Sequence, residues 1–285
     1  MSGTTEPTFV RASALSNYAD CPRRSAARLF KADIMAAGYD LRETQRNIGA
    51  SIGTSVHAAA ALTLREKMQR GSAAPLSAAT DCAVEEYRAI AEEGMLFDRE
   101  TPTSNAAEAQ IVRMVGAFQR EIAPQIEPVI VEERMEADTG FGLILTGQSD
   151  VLAREPGRLR DLKTGKRQSM HAPQIGAYSL LSKSHGLEVN EACVDFVQRV
   201  PVSKPQPDPV TTPYELARAE NAAVNVLRHI AQDIQVFREG HEATGILPGD
   251  AWAFSANPSS MLCSEKWCSA WGTSFCSEHK KEIEQ

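Results

Sequence analysis

Apolar and polar positions along this chain change period partway through, and the change divides it into parts. Ser13–Phe30 reads as a first helix, and after a polar linker a second helix opens at Ile52-Gly-Thr-Ser-Val-His57 and runs through an alanine-rich stretch to about Arg70. Ser77–Glu93 and Asn105–Ile122 predict two more helices, with Ser77 and Asn105 as caps. Strand patterns follow at about Val129–Ala137, Phe141–Ala153 and Arg158–Lys163, the last two joined by a turn at Gly157. Met170–Ser184 then predicts a helix, and Val189–Val200 a fourth strand. Pro201 to Pro213 contains five prolines (201, 205, 207, 209 and 213) and reads as an extended connector. Tyr214–Arg238 predicts a long helix, and from Gly240 the chain leads into a cysteine-rich tail. This order implies an α/β domain, a mixed sheet with helices on its faces, and no internal repeat. Only the first eight or so residues and the last few read as loose termini.

The chemistry concentrates in the hairpin of the second and third strands. Gly147-Gln-Ser-Asp150 places one carboxylate on an apolar segment, and Asp161-Leu-Lys163-Thr-Gly165 places a second two residues before a lysine. Strand side chains alternate with a period of two, so Asp161 and Lys163 belong to one face. Pairing of the two strands would bring Asp150 beside Asp161. Converging carboxylates bind a hard divalent cation, and a neighbouring lysine can orient or polarise an attacking water. That equipment suits phosphodiester cleavage. Nearby, Gln174 and Tyr178 are four apart and share a helix face. His57 follows a small, close-packing Gly53 and offers an imidazole. Glu132, Glu133 and Glu136 lie on the first strand, with Glu133 a candidate for an extra carboxylate. Taken singly, each has an ordinary structural explanation; their order is what distinguishes them.

That order resembles the PD-(D/E)XK nucleases of the RecB-like group, which includes CRISPR-adaptation nucleases and phage recombination exonucleases. The resemblance begins at Ser13-Ala-Leu-Ser-Asn-Tyr-Ala-Asp-Cys-Pro-Arg-Arg24 and continues through Gly53–His57, Gly147–Asp150, Asp161–Gly165 and Gln174-Ile-Gly-Ala-Tyr178 to a cysteine cluster. It implies a restriction-endonuclease-like fold with an αβββαβ core. The expected unit is a single domain over 9–285, with a helical insertion at about 71–125, a nuclease core at about 126–200, and a C-terminal helix plus tail at 214–279. The resemblance makes His57, Asp150, Asp161 and the Leu162 carbonyl the ligands of Mg2+ or Mn2+. It makes Lys163 the residue that activates the nucleophile, and Gln174 and Tyr178 the residues that place the DNA strand. Ser149 stands where the motif name has proline.

Six cysteines occur: Cys21, Cys82, Cys193, Cys263, Cys268 and Cys276. No signal-peptide pattern or membrane-span-length apolar run is present, so the expected compartment is the reducing cytoplasm, where disulfides are rare. The last three cysteines crowd into a tail too short for a core of its own, which a metal staple would order. Cys21 would be the fourth thiolate. Four thiolates suit zinc or an iron–sulfur cluster, and His279 offers a substitute ligand. No tight Cys-x-x-Cys pair occurs, and the gaps are four and seven residues. The resemblance points to a [4Fe-4S] cluster on Cys21, Cys263, Cys268 and Cys276. Cys82 and Cys193 read as small core residues.

Composition changes little. Of 285 residues 42% are hydrophobic and 24% charged, which excludes wholesale disorder. The net charge of −7 excludes a protein that coats nucleic acid by bulk electrostatics. Two basic clusters stand against that background: Arg11, Arg23, Arg24, Arg28 and Lys31, and Arg154, Arg158, Arg160, Lys163, Lys166 and Arg167. Either is a candidate track for a DNA backbone. With no sequence-reading module in view, exonuclease action on single-stranded or duplex DNA ends fits the resemblance better than site-specific cutting. No helicase or ATP-binding motif is present, so any unwinding would fall to a recombination or helicase partner. The competing class is a nuclease-fold DNA-binding or scaffold subunit acting through a partner, against which the intact Asp, Asp and Lys set speaks.

Overall fold

The computed structural model describes residues 7–276. The expected alternative ligand His279 and the ends of the chain lie outside the described residues.

A short strand β1, Thr8–Arg11, opens the chain where a loose terminus was expected to give way directly to a helix. The expected helix over 13–30 is broken into α1, Leu15–Asp20, and α2, Pro22–Leu29, followed by α3, Lys31–Ala36. The cause is Pro22. It has no N–H to continue a helix and drives the residue before it out of the helical region, so Cys21 is extended (φ −152°, ψ 100°) while Pro22 starts α2.

The long helix α4, Ile48–Arg70, begins at Asn47, whose side chain accepts from the Ala50 N–H, and stops at Gly71 in the left-handed region. Helices α5, Leu76–Ala91, and α6, Ser104–Ala117, follow. Their caps are not the expected Ser77 and Asn105. Pro75 precedes α5, and Thr103 caps α6 by accepting from Ala106. A wider π turn carries α6 on to Ile122.

The remaining elements are β2, Pro128–Asp138; β3, Leu143–Ala153; β4, Arg158–Gly165; α7, Ala172–Ser184; β5, Glu191–Gln198; β6, Val210–Tyr214; and α8, Leu216–Glu239. They build the expected mixed sheet, in which β2–β3, β3–β4 and β5–β6 are antiparallel and β4–β5 and β1–β3 parallel. Strand β6 corrects the reading of 201–213 as a plain connector. Among the described residues it pairs only with β5, so Pro213, opposite Cys193, stands on an edge strand where a missing N–H is tolerated.

Two apolar cores flank the sheet. Leu145, Leu159 and Val194 meet Tyr18, Ile175 and Ile230 from α1, α7 and α8 in one; Val151, Leu162 and Val197 meet Ile52, Val56 and Ile111 from α4 and α6 in the other. Helices α7 and α8 touch at Gly176, where an added Cβ would fall 2.0 Å from the Ala219 carbonyl oxygen. Cys193 is buried as expected, whereas Cys82 is only half-buried. Among the described residues no helix is long and apolar enough to cross a membrane.

Candidate active site and cysteine cluster

The site forms where the sheet divides. Strand β2 occupies one edge of β3 along Ile144–Ala153. On the other edge β1 pairs only with Leu143–Thr146, and β4 only with Val151–Ala153. Among the described residues no strand lies beside 147–150 there. Helix α7 rises beneath this gap because Gly147 carries no side chain: a Cβ would lie 2.8 Å from Leu181 and 3.0 Å from Tyr178. Helix α4 approaches in the same way at Gly53, where a Cβ would meet Thr164 Oγ1 at 2.8 Å.

Asp150 and Asp161 stand one step past the last rung between β3 and β4. Asp150 Oδ2 accepts the Leu162 N–H at 2.6 Å, and His57 Nδ1 lies 3.1 Å from Asp150 Oδ1. The Lys163 ammonium is 2.7 Å from Asp161 Oδ2. Gln174 Nε2 lies 3.5 Å from Asp161 Oδ1 and donates to the Tyr178 hydroxyl at 3.1 Å. The residues singled out in the sequence thus fall into two linked groups, His57–Asp150–Leu162 and Lys163–Asp161–Gln174–Tyr178. Leu162 enters through its N–H; the expectation concerned its carbonyl.

Burial sets the electrostatics. It would raise Asp150, but His57, Lys163 and the Leu162 N–H outweigh it and hold this carboxyl below its usual range. Asp161 is pushed up, by burial first and by Asp150, with Lys163 opposing. Burial works against a charged His57, yet Asp150 overcomes it and raises the imidazole. Tyr178 is raised by burial and by the two aspartates, so it remains a phenol. Burial and the Lys163 charge press His171 down to about 4, which keeps it neutral beside the site.

One further carboxylate joins the site, and it is Glu132, whereas the sequence reading had favoured Glu133. Ligand atoms of His57, Glu132 and Asp150 lie within 4.8 Å of one another. Rungs Val131–Val151 and Glu133–Ser149 bracket Glu132 opposite Asp150, and its backbone is left-handed (φ 48°), unusual for a non-glycine residue. Glu133 is exposed. No sequence signal marks a positive φ at a glutamate. Arg65 holds Glu132 at 3.1 Å, while burial and Asp150 raise its carboxyl. Asp161 stands outside this trio, its carboxylate turned to Lys163.

These residues fit a hard divalent cation. Imidazole nitrogen and carboxylate oxygen are its donors, and those of His57, Glu132 and Asp150 already converge within 4.8 Å.

The four cysteines predicted to act together line one cavity, with Asn257 and Trp271 among its other walls. The helix break sets Cys21 there, where its sulfur accepts the Asn257 N–H at 3.4 Å. Burial raises Cys263 and Cys276 and pushes Cys268 up to about 11; each is raised further by the neighbouring thiols.

The basic clusters are only partly available to a ligand. Arg160, 1% exposed, is locked by two 2.8 Å bonds to Asp195, and Arg23 is buried against Trp252 with its Nε on the Phe254 carbonyl. Arg158 pairs with Glu191, Lys31 with Glu43 and Lys166 with Asp98.

The model of the PD-(D/E)XK nuclease superfamily matches residues 11–272, and the chain belongs to that superfamily. Among solved structures it is similar to a protein from Eubacterium rectale described as a "Putative exonuclease", with a TM-score of 0.54 and 10% identity, covering 90% of this chain and 87% of that one. Similarity to SSO0001 is slight, with a TM-score of 0.30 and 13% identity over 79% of this chain and 78% of that one. Curated proteins give no match.

Proposed function

We propose that the chain is a metal-dependent DNA nuclease, a single nuclease domain with a helical insertion, acting as an exonuclease on DNA ends. The observation that carries the reading is the meeting of His57, Asp150, Asp161 and Lys163 where β3 and β4 part. His57, Asp150 and Asp161, with Glu132, would hold Mg2+ or Mn2+, which supplies charge stabilisation on the scissile phosphate and lowers the pKa of a nucleophilic water.

The chain's own residues do the rest. Asp150 is fixed by the Leu162 N–H and His57, so its carboxylate needs little reorganisation. Lys163 presents an ammonium to the attacking water and to the oxygens on which charge develops. Gln174 and Tyr178, braced on each other, donate to the strand next to the scissile bond. The attacking water forms a new P–O bond and gives up a proton to solvent; as the P–O bond to the departing oxygen breaks, that oxygen takes a proton from solvent.

The cysteine cavity supports a metal staple that would tie the tail to Cys21. A tetrahedral zinc at about 2.3 Å from each sulfur would need them about 3.8 Å apart. No three of the four cysteines form a group within 4.8 Å. A spacing wider than zinc needs leaves room for the larger [4Fe-4S] cluster that the sequence resemblance implies, and Cys263, Cys268 and Cys276, raised by burial and by neighbouring thiols, need a cation to ionise.

DNA labelled at the 5′ or 3′ end, single-stranded and duplex, incubated with and without Mn2+, tests the proposal. Metal-dependent release of label from ends, abolished by Asp161→Ala, is expected. Binding without any cleavage would favour the scaffold reading.

A further inference from the structure

Beyond the site lies a groove that the proposed chemistry does not use. Two adjoining clefts share Arg11, Ser13, Arg134 and Thr146; one extends to Phe9 and Arg28, the other to Gln148 and Tyr178. Together they lead from the outer end of β1 to the gap in the sheet above α7. Among the described residues no carboxylate lines either cleft, although the chain as a whole carries seven net negative charges. Arg11 and Arg134 are exposed, and among the described residues neither forms an ion pair. Arg28, at the outer end, forms no ion pair among them either and donates to the Trp267 carbonyl, whereas Arg158, Arg160, Lys163 and Lys166 are committed to acidic partners.

We infer that this groove carries one strand of the DNA substrate, its phosphates on Arg11, Arg28 and Arg134, and feeds it over Gln148 into the gap where Asp150 and Asp161 stand. The inference rests on the nuclease reading of that site. Width selects a single strand. Between the last β1 partner, Thr146, and the first β4 partner, Val151, β3 runs about 17 Å at about 3.3 Å per residue. That span is shorter than the width of a duplex, so it suits one backbone with unstacked bases. Phe9, 52% exposed at the outer end, offers a face on which a base can stack. Tyr178 at the inner end is bonded through Gln174 to Asp161, so the groove ends on the proposed chemistry.

Fluorescence anisotropy of a labelled 15-nucleotide strand and a blunt duplex, measured in chelator so that nothing is cut, tests this. Wild-type protein is expected to prefer the single strand. Arg11→Ala/Arg134→Ala should weaken single-strand binding at least tenfold and flatten the slope of log affinity against log salt by about 1.4, at about 0.7 per lost phosphate contact. Arg88→Ala/Arg218→Ala, which removes the same charge from α5 and α8, should leave the slope unchanged. Unaltered affinity and slope in the groove variant would overturn the inference, as would an equal loss in the control or no single-strand binding by wild type. Because no cleavage is read, an inactive wild type would sink the nuclease reading while leaving this test interpretable.

Discussion

Replacing Lys163 with methionine separates catalysis from architecture at this site. The change removes one ammonium and keeps an unbranched stem of similar reach. In the folded protein that ammonium sits 2.7 Å from Asp161 Oδ2, with its side chain 20% exposed and the aspartate's 2% exposed. At an effective dielectric of about 20 the attraction is about 6 kcal/mol before desolvation. The stability loss will be far smaller. Deleting one partner of a buried pair costs about 3–5 kcal/mol when the other charge is stranded. Asp161 need not be stranded: burial and Asp150 already hold its carboxyl above the ordinary range, so it takes up a proton when Lys163 is gone. We expect urea unfolding to show a loss of about 3 kcal/mol or less. DNA cleavage should fall about 10²- to 10⁴-fold, or about 3–5 kcal/mol of barrier. Calorimetric titration with Mn2+ should show binding retained and accompanied by release of the proton that Asp161 took up, since a repelling cation has left the site. A folded, metal-binding variant that cleaves within threefold of wild type would refute the role given to Lys163. Loss of metal binding would refute the electrostatic reasoning.

Three other outcomes follow from the same geometry. Glu132→Gln should weaken Mn2+ binding and cleavage by about 10- to 100-fold, read by titration and end-label release; wild-type values in both would remove Glu132 from the site. Cys21→Ser should abolish the brown colour expected of anaerobically purified protein and lower its melting temperature by several degrees, whereas a colourless wild type holding one zinc would refute the cluster. Asp98, although burial opposes it, is held below the ordinary carboxylate range by Arg199 and by the Thr101 N–H, so its contribution is present above its unfolded value of about 4 and fades as pH falls below that. Asp98→Asn should therefore destabilise the protein at pH 7 and match wild type progressively better under acid, and a gap in unfolding free energy that widened on acidification would contradict this.

Elements with long, consistent patterns were legible in the sequence, and those created by a partner were not. The long helix around His57, the β3–β4 hairpin and α8 carry their own periodicity over many residues. Strand β1 has four residues and exists because β3 offers an edge. Strand β6 hides in a proline-rich run, and only its place at the sheet's edge permits Pro213. The break at Cys21 was written in Pro22 and read through. Its consequence is local geometry: an unbroken helix would have pointed residue 21 along a helix face, and the extended turn presents its sulfur to the tail.

The candidate site divides along the same line. His57, Asp150, Asp161, Lys163, Gln174 and Tyr178 could be named because each sits at a fixed offset within one element, and the elements arrive in a recognisable order. Glu132 could be named only as one of three glutamates on its strand, with Glu133 preferred, since its place depends on a left-handed backbone that no residue type there announces. Nor could the gap be foreseen, though it governs the rest. Strand β3 has eleven residues, and the edge it turns away from β2 is shared by two shorter partners that pair with its opposite ends. Full pairing of β4 along that edge would commit the backbone at 147–150 to a ladder and close the approach to both aspartates. Because β1 claims the far end instead, Asp150 is left one step past the last rung, free to accept the Leu162 N–H and face His57. On the proposed reading, the carboxylates are open to a substrate only because the sheet is incomplete where they stand.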